Sequence, residues 1–247
     1  MDLNVILAEL ASFVLVSVFF LGMVVLLLVG GILIFLQYLR FRNREEVSLN
    51  FVLLEIAVPR DNETKIDAAE QIFASLHSIK QGGFWQRFNA QQHLSFEIVG
   101  RKEDIRFYVS CHRNNMELTE KLLAGAYPGV QVKEVEEYNI FTETGKVAFS
   151  EMVLRGESYK PIKVYKELTT DPLASVTASL AKLGAGEAAA IQIIIVPAES
   201  EWQKAGESYI SKTKKAEADP EKAKFRISPA DFEAIDNKVG KPGFLTA

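Results

Sequence analysis

An α+β fold behind a single membrane helix is the class this sequence predicts. Three observations carry that prediction: an N-terminal apolar run of membrane length, two alternating runs joined by a short polar turn, and helical apolar stripes set between strand-like segments. The chain has 247 residues, 48% of them apolar and 24% charged, with a mean hydropathy of +0.07. That average hides a split, because the first forty residues are almost all apolar and the rest reads as an ordinary soluble domain. Every basic residue lies at or after Arg40, while Asp2 and Glu9 precede the apolar run. The part after the run therefore holds 28 basic against 30 acidic residues, a net charge of −2. A near-neutral domain lacks the basic excess of an electrostatic nucleic-acid binder. A single cysteine, Cys111, excludes an internal disulfide framework and a Cys-rich zinc site.

Residues 13–36 are apolar apart from Ser17 and the glycines 22, 30 and 31. At about 1.5 Å per residue, such a helix exceeds a hydrocarbon core of roughly 30 Å. The transmembrane helix is placed at 13–39, with a short extracytoplasmic N-terminus at 1–12 and a basic juxtamembrane linker at 40–46. A cleaved signal peptide fits poorly: the leading residues are acidic, the run is too long, and residues 37–40 form no small-residue cleavage site. Arg40, Arg42 and Arg44 follow the run, and no Lys or Arg precedes it. The positive-inside rule then places the N-terminus outside and the rest in the cytoplasm, at the inner (plasma) membrane. Tyr38 suits the interface at that end. The glycines form no G-x-x-x-G pair, so they read as tolerated residues of a lipid-facing helix.

The first soluble unit is read over 47–141. Residues 47–58 form a strand that stops at Pro59, and the polar residues 60–63 turn the chain. Ile66, Ala69, Ile72, Phe73, Leu76 and Ile79 then make one helical stripe, closed by Gly82 and Gly83. Leu94, Phe96 and Ile98 alternate with polar residues, as do Ile105, Phe107, Val109 and Cys111 after the turn at 100–104. These two runs predict a hairpin whose buried face includes Phe107. Asn114 and Asn115 are candidate caps for a helix at 116–126, which Pro128 and Gly129 stop before a strand at 130–135. The order β-α-β-β-α-β predicts a ferredoxin-like unit, with two helices on one sheet face and the other face open.

The second unit is read over 146–247. A strand is expected at 147–154, and Asp171-Pro172 caps a helix whose stripe is Leu173, Val176, Leu180 and Leu183. Residues 189–196 form a nearly continuous apolar run, hence a buried strand, ended by Pro197. Two helical segments follow at 200–215 and 229–238, and Lys241-Pro242-Gly243-Phe244 leads into a further strand before the chain stops at Ala247. The expectation is a second, incomplete ferredoxin-like unit with a helical insertion, in the N-terminal piece of a longer polypeptide.

Several motifs in this order resemble a known family. They are Phe96-Glu97-Ile98, Arg106-Phe107-Tyr108, Tyr127-Pro128, Asp171-Pro172-Leu173, Gln192, Trp202 and Lys241-Pro242-Gly243-Phe244, all behind one membrane helix. The chain resembles the membrane-anchored region that precedes the ATPase core in HerA-like and TraG-like type IV secretion or conjugation translocases. The resemblance covers nearly the whole chain and implies a tethered module of a DNA- or protein-translocating motor. In such proteins the rest of the second unit and a P-loop ATPase follow, and this chain ends before them.

The sequence itself shows no constellation for catalysis. No G-x-x-x-x-G-K-[ST] occurs; Gly145-Lys146 lacks the upstream glycine, and Gly240-Lys241 is followed by Pro242. His112 and Cys111 are adjacent on a strand and so face opposite sides. His77 reads as a boundary residue, and Glu134, Glu136 and Glu137 as a solvated strand end. The lysines of 204–224 interleave with glutamates, a mixed-charge surface rather than a phosphate patch. No catalytic, metal or cofactor residue is assigned, and no cofactor or small-molecule substrate is expected. The candidate residues are the membrane-orienting Arg40, Arg42 and Arg44 and the possible contacts Trp85, Tyr108 and Trp202. Trp85 is either an exposed contact or a loop ring folded over the core edge, whereas Trp202 is expected to pack its helix on the sheet. The partners expected are the lipid bilayer and either further copies of the chain or a translocase ATPase. A stand-alone assembly protein that recruits a separate ATPase is the alternative.

Overall fold

The computed structural model describes residues 3–42, 49–80, 92–162, 168–217, 229–241 and 243–246. It comprises two units, the N-terminal helix belonging to one and the sheet domain to the other. The N-terminal helix, α1, runs Leu3–Arg42. Over Ser12–Leu39 it is apolar around its circumference, and it is long and apolar enough to cross a membrane.

The sheet domain then follows in the order β1 Phe51–Ala57, α2 Asp67–Leu76, β2 Leu94–Arg101, β3 Asp104–His112, α3 Met116–Ala126, β4 Gln131–Val135, α4 Pro172–Leu180, β5 Ala188–Pro197, α5 Glu201–Glu217, α6 Pro229–Val239 and β6 Phe244–Thr246. The strands form one sheet in the order β4-β1-β3-β2-β5-β6, and every pairing is antiparallel. Its first four strands have the ferredoxin-like arrangement expected over 47–141. The hairpin of β2 and β3 aligns Leu94 with Cys111, Phe96 with Val109 and Ile98 with Phe107. Its turn needs a left-handed residue, and Glu103 takes φ 61° there.

Residues directly opposed across a ladder share a face. On one face Val52, Leu54, Leu94, Val109, Cys111 and Ile195 pack beneath Ile72, Leu76 and Ile79 of the first helical segment and Leu123 of α3. The helical stripe of the sequence thus meets the alternating stripe of the strands, and this is the main core. Asp171 caps α4 as its sequence implies, its carboxylate accepting from the Leu173 amide at 2.9 Å. The asparagines before α3 do not act this way. Residues 113–115 form a tight 3-10 turn, and the His112 ring accepts from the Asn114 amide at 3.2 Å.

Four expectations are corrected. Phe107 lies on the core face but is 44% exposed, because α2 and α3 cover the Val109 and Cys111 end of that face and do not reach it. The other face is not open: the chain after β4 folds back over it, and Tyr138 and Ile140 pack on Leu53, Val99 and Tyr108. Residues 147–154 are not a strand. A strand needs a ladder partner, and none is in place for them among the described residues. Finally, the second unit has no separate sheet, since β5 adds to the free edge of β2 over Leu94–Arg101. There β5 is an outer strand with Ile193 half exposed, rather than the buried strand its apolar run implies.

Two close approaches fix the later elements. A Cβ on Gly100 would lie 2.9 Å from the Leu180 Cβ, so only glycine lets α4 settle on β2 at this point. The α5 and α6 helices close a satellite core of Ile210, Ile235 and Val239 with Tyr159, Trp202, Tyr209 and Phe232.

Candidate membrane anchor and interaction surface

The anchor is α1. One turn beyond its apolar run the chain becomes basic. Arg40 and Arg42 belong to the end of the helix, and Arg44 lies outside the described residues. The Arg42 side chain and the Tyr38 ring are exposed at that end. A cation at a helix C-terminus also complements the helix dipole.

The three aromatic candidates have different surroundings. Trp85 lies outside the described residues. Trp202 packs its helix not on the sheet face but on the segment entering β6, where a Cβ on Gly243 would meet its indole ring. The Lys238 ammonium lies 6.0 Å from the same ring. Burial lowers the Lys238 pKa, and its Nζ donates to the carbonyls of Ser158 and Lys160 at 2.7 and 2.9 Å. Tyr108 is buried, so its ring is an internal contact and not a surface one.

What covers Tyr108 is a feature that sequence reading missed. The ladder register lines up Lys133, Glu55, Tyr108, Glu97 and Gln192 in one row across five strands. Over this row lies the strap after β4. Its Tyr138 ring stacks on Tyr108 with centroids 5.4 Å apart. The Tyr138 hydroxyl donates to the Glu97 carboxylate at 2.6 Å and accepts from the Gln192 amide at 3.3 Å. Arg101 donates to the Asn139 carbonyl at 3.1 Å and secures the strap's next residue. Burial raises the Tyr138 pKa, and the facing Glu97 carboxylate raises it further, so the hydroxyl stays a hydrogen-bond donor at neutral pH. The arrangement is a clamp: a buried carboxylate is satisfied by the residue that closes over it. A polar residue inside each apolar run, Glu97 in one strand and Gln192 in the other, was the available signal.

Elsewhere the titratable groups serve structure. Burial raises the pKa of the Cys111 thiol, which is enclosed in the main core. Arg106 pairs with Asp104 at 2.9 Å and Glu55 at 3.4 Å on the surface. Among the described residues no three His, Cys, Asp or Glu side chains are grouped to hold a metal ion.

A family model described as a domain of unknown function, DUF8128, matches residues 44–226. The chain belongs to the DUF8128 family. The match begins just beyond α1 and takes in the ferredoxin-like strands, β5 and α5. No curated protein matches, and no solved structure matches.

Proposed function

We propose that this chain is the non-catalytic anchor and cytoplasmic scaffold of a type IV secretion or conjugation-like translocase, holding a motor ATPase at the inner membrane. The observation that carries the reading is α1: a helix apolar over Ser12–Leu39, basic at its end, and joined within a few residues to a folded α+β domain. The resemblance of the domain's motifs to the membrane-proximal region of such translocases supports the choice of machine. In this reading the arginines set the N-terminus outside, the sheet domain works in the cytoplasm, and the chain catalyses nothing itself.

Cysteine accessibility tests the topology. A reporter at residue 5 should label from outside intact cells and one at residue 60 should not; the reverse pattern would refute the orientation. For the scaffold, cross-linking in native membranes followed by mass spectrometry should recover a P-loop ATPase, either downstream on the same polypeptide or as a separate protein. Nucleotide turnover by the purified chain, abolished by a point change within it, would overturn the non-catalytic reading.

A further inference from the structure

The ferredoxin-like order places β4 outermost on its side of the sheet, with β6 five strands away. The inner side of β4 pairs with β1 over Gln131–Val135, and no described strand pairs with its outer side. Edge strands are guarded against chance pairing, and here the guard is charge, since Lys133 and Glu134 are both exposed. Glu134 is neutralised by Arg113 at 2.9 Å. No described carboxylate lies within ion-pair distance of Lys133.

The same chain carries a strand without a sheet. Residues 147–154, Val-Ala-Phe-Ser-Glu-Met-Val-Leu, are rich in residues that favour strands, and no described strand pairs with them. Their apolar side chains stand in water, with Phe149 88% exposed and Met152 84%. Glu151 is the only charge in the segment, and no described cation is paired with it. Both flanks are held away from β4. Upstream, Tyr138 bonds to Glu97 of β2 and Gln192 of β5, three and four strands from β4. Downstream, Lys238 of α6 grips the carbonyls at 158 and 160.

We propose that residues 147–154 of one copy add antiparallel to the outer edge of β4 in a second copy, with Glu151 opposite Lys133, and that the exchange is reciprocal. The two unpaired charges fix the register, and the register orders every other position. Directly opposed residues share a face. Met152 falls opposite Val132, and Leu154 opposite Val130 just before β4, which lengthens the apolar face on which α3 packs. Phe149 falls opposite Val135 on the other face, beside Leu53. A slip of two residues sets Glu151 against Gln131 or Val135 and leaves Lys133 facing Phe149 or Val153. Donor and acceptor on one chain make the contact self-complementary, so a two-fold dimer closes. Main-chain hydrogen bonds supply the affinity, and the charge match rejects other strands. The inference goes beyond the scaffold reading and rests on these two segments alone, whatever machine the dimer serves.

The test uses the full chain in nanodiscs or detergent micelles. Opposed residues place their Cβ atoms about 5 Å apart, within reach of a short bismaleimide. Chains with one tag carry Lys133→Cys, chains with a second tag carry Glu151→Cys, and the reagent is added to the mixture. Cross-links between the two tags are expected, with none when either variant is mixed with wild type. Absence of the mixed product overturns the proposal. So does a cross-link confined within single chains carrying both cysteines, which would mean that each segment docks on its own edge. Light scattering should give a dimer for wild type. Glu151→Lys should weaken association about tenfold with circular dichroism unchanged, and adding Lys133→Glu to the same chain should restore it. A wild-type monomer, a dimer indifferent to Glu151→Lys, or no recovery in the double variant refutes the exchange.

Discussion

Tyr138 binds the strap to the sheet through one hydroxyl, and that makes it sensitive to both mutation and pH. Tyr138→Phe keeps the stacking on Tyr108 and removes the donor from a buried carboxylate, a change that costs on the order of 1–3 kcal/mol. A lowered thermal midpoint should report it, and an unchanged one would show that Glu97 has another donor. The pH dependence has a definite sign. The folded-state pKa of Tyr138 is raised above that of the unfolded chain, so its contribution is complete below about pH 10 and is lost as pH rises beyond it. Wild type should therefore lose stability more steeply than Tyr138→Phe as pH rises above about 10. The neighbouring Ser95 behaves oppositely. Its buried hydroxyl has no hydrogen-bond partner among the described residues, so Ser95→Ala should leave stability unchanged or raise it. A loss above about 1 kcal/mol would reveal a partner for that oxygen. Beyond the polar residues Glu97 and Gln192 inside their apolar runs, none of this was legible beforehand, because alternation tells which residues share a face but not what the chain will lay over it.

Among the elements, β3 shows how far periodicity reaches. The alternation of Ile105, Phe107, Val109 and Cys111 correctly grouped them on one face and correctly paired β3 with β2. It could not tell where along the strand the helices end. Two substitutions separate the cases. Val109→Asp buries an unpaired charge in the main core and should cost more than about 4 kcal/mol or prevent folding. Phe107→Asp places its charge at a half-exposed site and should cost no more than about 2 kcal/mol in chemical denaturation. Equal losses would mean that Phe107 is covered. At β2, Gly100→Ala pushes a methyl group onto Leu180 and should destabilise by about 1–3 kcal/mol. The missing strand at 147–154 has the same origin as the exposed Phe107. Strand propensity is a property of the segment, whereas being a strand depends on a neighbour.

For the whole molecule, the sequence foretold the long apolar helix and the ferredoxin-like strand order because both follow from local patterns: apolar length, period and turn residues. It divided the soluble part in two because a helix and a strand followed β4 as though a new sheet were starting. That β5 adds to β2 is a long-range pairing decided by which edge is free, and no local pattern records it. The proposed anchoring yields a global prediction. Moving Arg40, Arg42 and Arg44 ahead of residue 13 should weaken or invert the orientation, read by the same cysteine reporters. An unaltered topology would show that the folded domain, not the charge, decides which side it occupies.

The position of β1 has a mechanical consequence. Any pull transmitted through α1 enters the sheet domain at Phe51, the first residue of a strand flanked on both sides by β3 and β4. Hydrogen bonds in an antiparallel ladder lie across the strands, so a load directed along β1 strains both of its ladders together instead of peeling one edge bond at a time. A chain tethered through an edge strand would unzip. This one is tied to α1 through an interior strand of its sheet, a connection suited to holding against force.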